Sequence, residues 1–401
     1  MVPNPMSTRV SHFGLIPDDW DVFEAKDVCT KVTDGTHDTP KPVDTGVPYI
    51  TAIHVKGGKI DFKNCLYLSR RDHELIYKRC NPENGDLLVV NIGAGVAECG
   101  LVEVDYEFSI KNVALLKPNK LMLDGKFLLQ QYLYRKERIA HVVKTGGAQP
   151  FLSLSELGRL KIVTPPLLEQ TKIAQILSTW DKAIETTEKL IENSKAQKKA
   201  LMQQLLTGKR RLPGFRQKWI FSTFSELYKV SNDKSKQVNK SSYLQVGSIP
   251  IVDQGKQLVS GYIETNSFYE EVPIIVFGDH TRIIKWIDFP FVPGADGTQI
   301  LKATNKISPG MGYFLLNNIR IPNLGYSRHM RELKNHDFWH PTDIEEQLSI
   351  EAILWNAENS ISCLIGQLEL LSQQKKALMQ QLLTGKRRVK VDNQGTTGVT
   401  A

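Results

Sequence analysis

QKKALMQQLLTGKRR stands at Gln197–Arg211 and stands again, unchanged, at Gln374–Arg388. Fifteen consecutive identities at an offset of 177 residues are not a chance match. The copy also extends upstream: Glu169-Gln170 returns as Glu346-Gln347, and Ile176-Leu177 as Ile353-Leu354, at the same offset and without a gap. A weaker echo leads each half, with Trp20, Asp27 and Val28 answering Trp219, Glu226 and Leu227 at equal internal spacing. The order is therefore variable, constant, variable, constant. A period this long belongs to a duplicated two-part module rather than to a solenoid.

The constant segments carry a helical signal. Stepping by four and three from Ile173 visits Ile173, Leu177, Trp180, Ile184, Thr187, Ile191, Ser194, Lys198, Leu201 and Leu205, seven of ten apolar. The second copy visits Ile350, Leu354, Ala357, Ile361, Leu364, Leu368, Leu371, Lys375, Leu378 and Leu382, nine of ten apolar. This is a heptad seam, and it predicts two long helices. Pro165-Pro166 and Pro341 precede them, Gly208 and Gly385 follow them, and no proline interrupts them. Each helix should be about 57 Å long at 1.5 Å per residue. Two such stripes in one chain are expected to bury against each other as an intramolecular antiparallel coiled coil with a globule at each end. Two separate dimerisation coils are the alternative.

Composition narrows the class. The chain has 401 residues, 41% hydrophobic and 23% charged, enough for two or three ordinary domains. No run approaches the ~18 consecutive apolar residues of a membrane span, and the start of the chain has no secretory apolar stretch. Cys29, Cys65, Cys80, Cys99 and Cys363 form no CxxC and no zinc-like pattern with histidine, so neither a disulfide scaffold nor a structural metal is expected. The compartment reads as cytoplasmic. The net charge of +8 permits a polyanionic partner.

Catalytic signatures are missing. There is no phosphate-binding GxxxxGK[ST] loop, no GxSxG elbow and no [DNS]PP[YFW] methyltransferase motif; the only Pro-Pro pair sits in Thr164–Leu167. Gly93-Ala94-Gly95 with Asp86 is a faint cofactor-loop echo. Pro17-Asp18 followed by Glu24 and Lys26 is a faint metal-nuclease echo, but its spacing is short for two adjacent strands.

The variable regions read as mixed α and β. Val272–Gly278 and Arg282–Ile287 are β-rich runs around a short polar turn, and Asp86–Gly93 and Asn112–Pro118 resemble them. No strand–helix alternation suggests a doubly wound sheet, so the class is α+β. The expected divisions are 1–163, a first globule; 164–211, a first helix; 212–340, a second globule; 341–390, a second helix; and 391–401, a disordered tail.

Several features suit DNA. Lys195, Lys198, Lys199, Lys209, Arg210, Arg211, Arg216 and Lys218 form a basic run without an acid, and Lys375, Lys376, Lys386, Arg387, Arg388 and Lys390 echo it. Such residues neutralise phosphates, or else complement a helix C-terminus. Asp279, His280, Thr281 and Arg282 form a polar loop between strands with donors and acceptors suited to base edges, and Lys285 follows it. Asp34, Gly35, Thr36 and His37 are similar in kind, and Lys111, Lys144 and Gln149 are further polar candidates. An ordinary turn is the alternative for both loops.

These residues together resemble the specificity (S) subunits of type I restriction–modification enzymes, over about residues 10 to 390. The marks are GLIPDDW at Gly14–Trp20, the run Gly146–Leu177, the duplicated LLTGKRR, LPGF at Leu212–Phe215, VFGDHTR at Val276–Arg282 and FPFVPGADGTQIL at Phe289–Leu301. The resemblance implies two target-recognition domains, each reading half of an asymmetric, interrupted site in double-stranded DNA. It implies spacer helices that dock two modification (methyltransferase) subunits, with restriction subunits joining. No catalytic activity and no cofactor or metal are expected in this chain; S-adenosylmethionine, ATP and magnesium are expected on the partners. NHDFWHPT at Asn335–Thr342 departs from the usual proline-rich lead-in, leaving the start of the second helix open. A self-contained methyltransferase or nuclease, and a coiled-coil adaptor that never touches DNA, are the rivals.

Overall fold

The computed structural model describes residues 7–11, 14–144, 150–294, 296–325 and 327–391, the side chains of Val142 and Lys144 excepted. The expected tail beyond residue 391 lies outside them. The chain divides into two compact units: Met1–Thr187 with Gln367–Ala401, and Glu188–Gly366. The division falls inside the two long helices, so each unit holds half of each.

In the first unit a four-stranded antiparallel sheet has the order Cys99–Leu101, Leu87–Val89, Ala114–Pro118, Cys29–Asp34. A three-stranded sheet orders Ser109–Lys111, Val47–Thr51 and Leu66–Leu68, its first pair parallel. Side chains alternate across a strand, so a strand buried on both faces needs a continuous apolar run. LLVV at 87–90 is such a run. Leu87 and Val89 share a core with Phe127, Leu128 and Tyr132 of the helix Gly125–Lys144, whereas Leu88 and Val90 share one with Tyr49, Ile50 and Ile110 of the smaller sheet.

The second unit repeats this plan in unlike sequence. Its four-stranded antiparallel sheet has the order Ile284–Ile287, Ile274–Gly278, Thr298–Ala303, Tyr228–Val230. Its three-stranded sheet joins Gly261–Ile263, Ile249–Val252 and Val292–Pro293, again with one parallel pair. Ile275 and Phe277 face a core with Met311 and Phe314, while Ile274 and Val276 face Val252 and Phe291. The variable regions, read from sequence as two different globules, are one fold built twice.

The long helices run Leu167–Leu205 and Ile344–Leu382, 39 residues each. The second therefore begins three residues past Pro341. Gly208 and Gly385 close them with φ of 69° and 72°, the left-handed conformation that glycine adopts at helix ends. None of the seam residues Ile173, Leu177, Trp180, Ile184, Ile191, Leu201 and Leu205 is exposed, nor is any of Ile350, Leu354, Ile361, Leu364, Leu368, Leu378 and Leu382. In the first unit Ile173 and Leu177 share a core with Met379 and Leu382, and Lys375 Nζ donates to Asp181 Oδ1 at 2.5 Å. In the second, Leu205 shares a core with Ile350 and Leu354, and Lys198 pairs with Glu358. Within each unit the two helical segments thus run antiparallel, and the seam is filled from the same chain.

A second pairing seals each unit. The carboxylate of Glu169, buried, accepts from Trp20 Nε1 at 3.1 Å and from Arg388 Nε and Nη2 at 2.7 Å each. Glu346 does the same with Trp219 Nε1 at 3.3 Å and Arg211 Nε and Nη2 at 3.0 and 2.6 Å. The tail of each repeat therefore closes the unit that the other repeat's helix begins.

Candidate nucleic-acid interface

In the second unit the candidate loop turns between the strands Ile274–Gly278 and Ile284–Ile287. Gln254 ties it down. The Gln254 backbone carbonyl accepts from Thr281 Oγ1 at 2.6 Å, its side-chain oxygen accepts from His280 N at 3.1 Å, and its amide nitrogen donates to Asp296 O at 2.8 Å. Gly297 is required here: its φ is 88°, and a Cβ would come within 2.8 Å of Gln254 and of the His280 ring. Arg282 holds a φ of 61°, uncommon for a residue with a Cβ, and donates from Nη1 to Ile321 O at 3.1 Å. Thr281 is exposed, and His280 and Arg282 are half-buried.

Two of the expected base-reading residues point inward. Asp279 is 2% exposed, with its carboxylate accepting from Met330 N at 2.7 Å and its carbonyl from His329 N at 2.9 Å. Lys285 is buried and donates to the carbonyls of Asp253 and Gln257 at 2.6 and 2.5 Å. Burial holds its ammonium pKa below the ordinary lysine value, with nearby Asp253 opposing. The reason is register. Lys285 pairs with Val276, and both lie on the face turned to the smaller sheet, so their side chains cannot reach a ligand at the sheet's end. Both residues brace the loops that others present.

In the first unit the candidates from distant stretches meet. Thr36 bridges Lys111 as a parallel pair, and Lys111 Nζ bonds Thr39 Oγ1. Asp34, 5% exposed, holds Arg79 on one oxygen and His37 Nε2 on the other, the latter at 3.0 Å. His37 is exposed and its Nδ1 lies 3.2 Å from Asn112 Oδ1. A Cβ on Gly35 would stand 2.0 Å from Ile110 O. Asp34, Gly35 and Thr36 thus hold an exposed His37 and a half-buried Lys111 in place. The side chain of Lys144 and the whole of Gln149 lie outside the described residues.

Other expectations are redirected by the structure. Four cations of the basic runs, Lys198, Arg211, Lys375 and Arg388, are committed to carboxylates within a unit and hold the helices rather than a phosphate. Glu24 of the nuclease echo pairs with Lys26 and Lys161, which hold its carboxyl down at about 2. Asp86 of the cofactor echo is buried beside Lys117 and accepts from Glu83 N, with burial raising its pKa. No three His, Cys, Asp or Glu side chains converge as metal ligands among the described residues, and no described helix is long and apolar enough to cross a membrane.

Sequence reading missed the residues flanking this end of the second sheet. The lead-in helices Ala25–Val28 and Phe224–Leu227 stand at the Trp20/Trp219 offset of 199. At that offset Asp34–His37 corresponds to Asp233–Lys236. The signal lay in extending the weak echo a few residues further.

Known proteins agree with this architecture. The type I restriction modification DNA specificity domain matches residues 17–194. A protein of Methanocaldococcus jannaschii, provisionally named the MjaX specificity subunit of a type I restriction enzyme, is 26% identical over 95% of this chain and 97% of its own length. The Escherichia coli EcoKI specificity subunit is 24% identical over 45% of this chain and 40% of its own. Among solved structures, a type I restriction-modification S subunit from M. genitalium superposes with a TM-score of 0.67 at 16% identity, covering 95% of this chain and 97% of that one. At that identity the likeness concerns the fold.

Proposed function

We propose, on the premise that this chain belongs to the type I restriction-modification DNA specificity family, that it is the DNA sequence-recognition subunit of such a complex and carries out no chemistry itself. The observation that carries the reading is the doubled fold. One β architecture is built twice, each copy on constant helical segments, with unlike loops at the corresponding sheet ends. Two readers with different loops suit two different half-sites, hence a bipartite, asymmetric target. The net charge of +8 favours a phosphate backbone as ligand.

The constant helical segments offer nearly the same surface twice, which suits the docking of two modification subunits, with restriction subunits joining them. S-adenosylmethionine, ATP and magnesium then belong to those partners, and the complex works in the cytoplasm. Deleting the gene tests the reading. The host methylome should lose one interrupted motif, and exchanging residues 212–340 for the matching region of another such subunit should alter one half of that motif only. A methylome unchanged by the deletion in cells that express the chain refutes it.

A further inference from the structure

The second unit carries a cleft of about 250 Å³ that none of the expected site residues lines. One wall is the segment after the strand Tyr228–Val230, with Asn232, Lys234 and Gln237; the other is the turn leading into Thr298–Ala303 together with Gln299 of that strand, and Arg328 lines it as well. The first wall occupies the place that Asp34–His37 holds in the first unit, so the two units present corresponding segments at the same sheet end.

Its amides are anchored but not exhausted. Asn232 Nδ2 donates to Gln299 Oε1 at 2.7 Å, and Asn232 Oδ1 accepts from Ile300 N at 2.8 Å. Gln237 Nε2 donates to Gly294 O at 3.1 Å. Gln299 thereby uses one lone pair of its oxygen and keeps its NH2, while Gln237 uses one hydrogen and keeps the other together with its oxygen. Anchored amides lining one cleft, with donors and acceptors to spare, match the edge of a base. The cations lie beside them. Lys234 is exposed and makes no ion pair among the described residues, and Arg328 is 64% exposed with only a 3.4 Å contact to Asp296. Of the two acids, Asp233 also lines the cleft, with its Oδ1 engaged by Ser235 N and Oγ at 3.0 and 2.6 Å. Asp296 is exposed, and its carboxylate steers Arg328.

We propose that this cleft is the strand-contacting groove of the second unit, with Lys234 and Arg328 on backbone phosphates and Gln237 and Gln299 on base edges. The assignment rests on the reading of the chain as a DNA-recognition subunit. The test uses the full-length chain and a library of duplexes with a randomised core. Wild type should enrich a bipartite motif and bind it with a steep salt dependence. Lys234→Ala with Arg328→Ala should flatten the slope of log affinity against log salt by about 2, near one unit per phosphate contact, and weaken binding at least about tenfold. Gln299→Ala should leave the slope unchanged and relax base preference in one half of the motif. Wild-type slope and wild-type motif in both variants, with unchanged thermal unfolding, would overturn the cleft while leaving DNA recognition standing. Absence of salt-dependent duplex binding by the wild type would overturn the recognition reading, and the cleft with it.

Discussion

Replacing Arg388 with alanine should loosen the first unit from 219 residues away. Its guanidinium supplies two of the three hydrogen bonds that reach the Glu169 carboxylate, the third coming from Trp20. Without it, a carboxylate only 2% exposed keeps a single indole donor. Orphaning one member of a buried pair costs about 3–5 kcal/mol. The Arg388 side chain is 28% exposed, so water reaches part of it and the lower end, about 3 kcal/mol, applies. The companion contact to Asp19 is half exposed and adds little. Arg388→Lys keeps the charge but loses the fork and should cost about half as much. Pairing Arg388→Met with Glu169→Gln removes the buried charge and should be milder than Arg388→Ala alone. Hydrogen exchange supplies the assay. Amides of residues 20–28 should exchange faster in Arg388→Ala, while those of 219–227, closed by Arg211, should keep their rates. Equal protection of both stretches, together with a urea-unfolding loss below about 1 kcal/mol, would refute the view that the second repeat's tail is a structural part of the first unit.

Gly35→Ala places a Cβ against Ile110 O, so equilibrium urea unfolding should show the first unit losing about 1–3 kcal/mol. His340 is buried, its Nδ1 bonded to Pro341 O and its Nε2 to Ser222 Oγ, and burial holds its pKa below the ordinary 6.5. The unfolded chain therefore takes up the proton first. The His340 contribution to stability is present above pH 6.5 and is lost as the pH falls from there toward the folded value. Thermal unfolding of His340→Gln should lose less of its midpoint over that range than wild type. Deleting 182–188 and 359–365 removes one heptad from each long helix, about 10 Å, and keeps the seam in register. Selection from a library of duplexes with randomised spacers should then favour fewer unspecified base pairs between half-sites, and an unchanged preference in a folded variant would show that helix length does not set the gap.

Heptad periodicity, bounding prolines and closing glycines are local, so both long helices were legible from single stretches of chain, and the duplication was legible as identity. The apolar runs at 87–90 and 272–278 likewise announced strands. Non-local choices were not legible. That Arg388 pairs with Glu169 rather than with a phosphate follows from which helical segments the units bring side by side, since a guanidinium serves either partner equally well. That the two variable regions share one topology is hidden because the order of strands depends on pairing, while unlike side chains fill the same two faces. The polar loop at 278–282 was visible, yet Lys285 turns inward because strand register decides which face its side chain takes, and Asp279, just past the strand's end, turns inward because the distant segment at His329-Met330 packs its amides against it. The cleft residues Lys234, Gln237, Gln299 and Arg328 come from three separated stretches and become neighbours only when the second sheet closes its order.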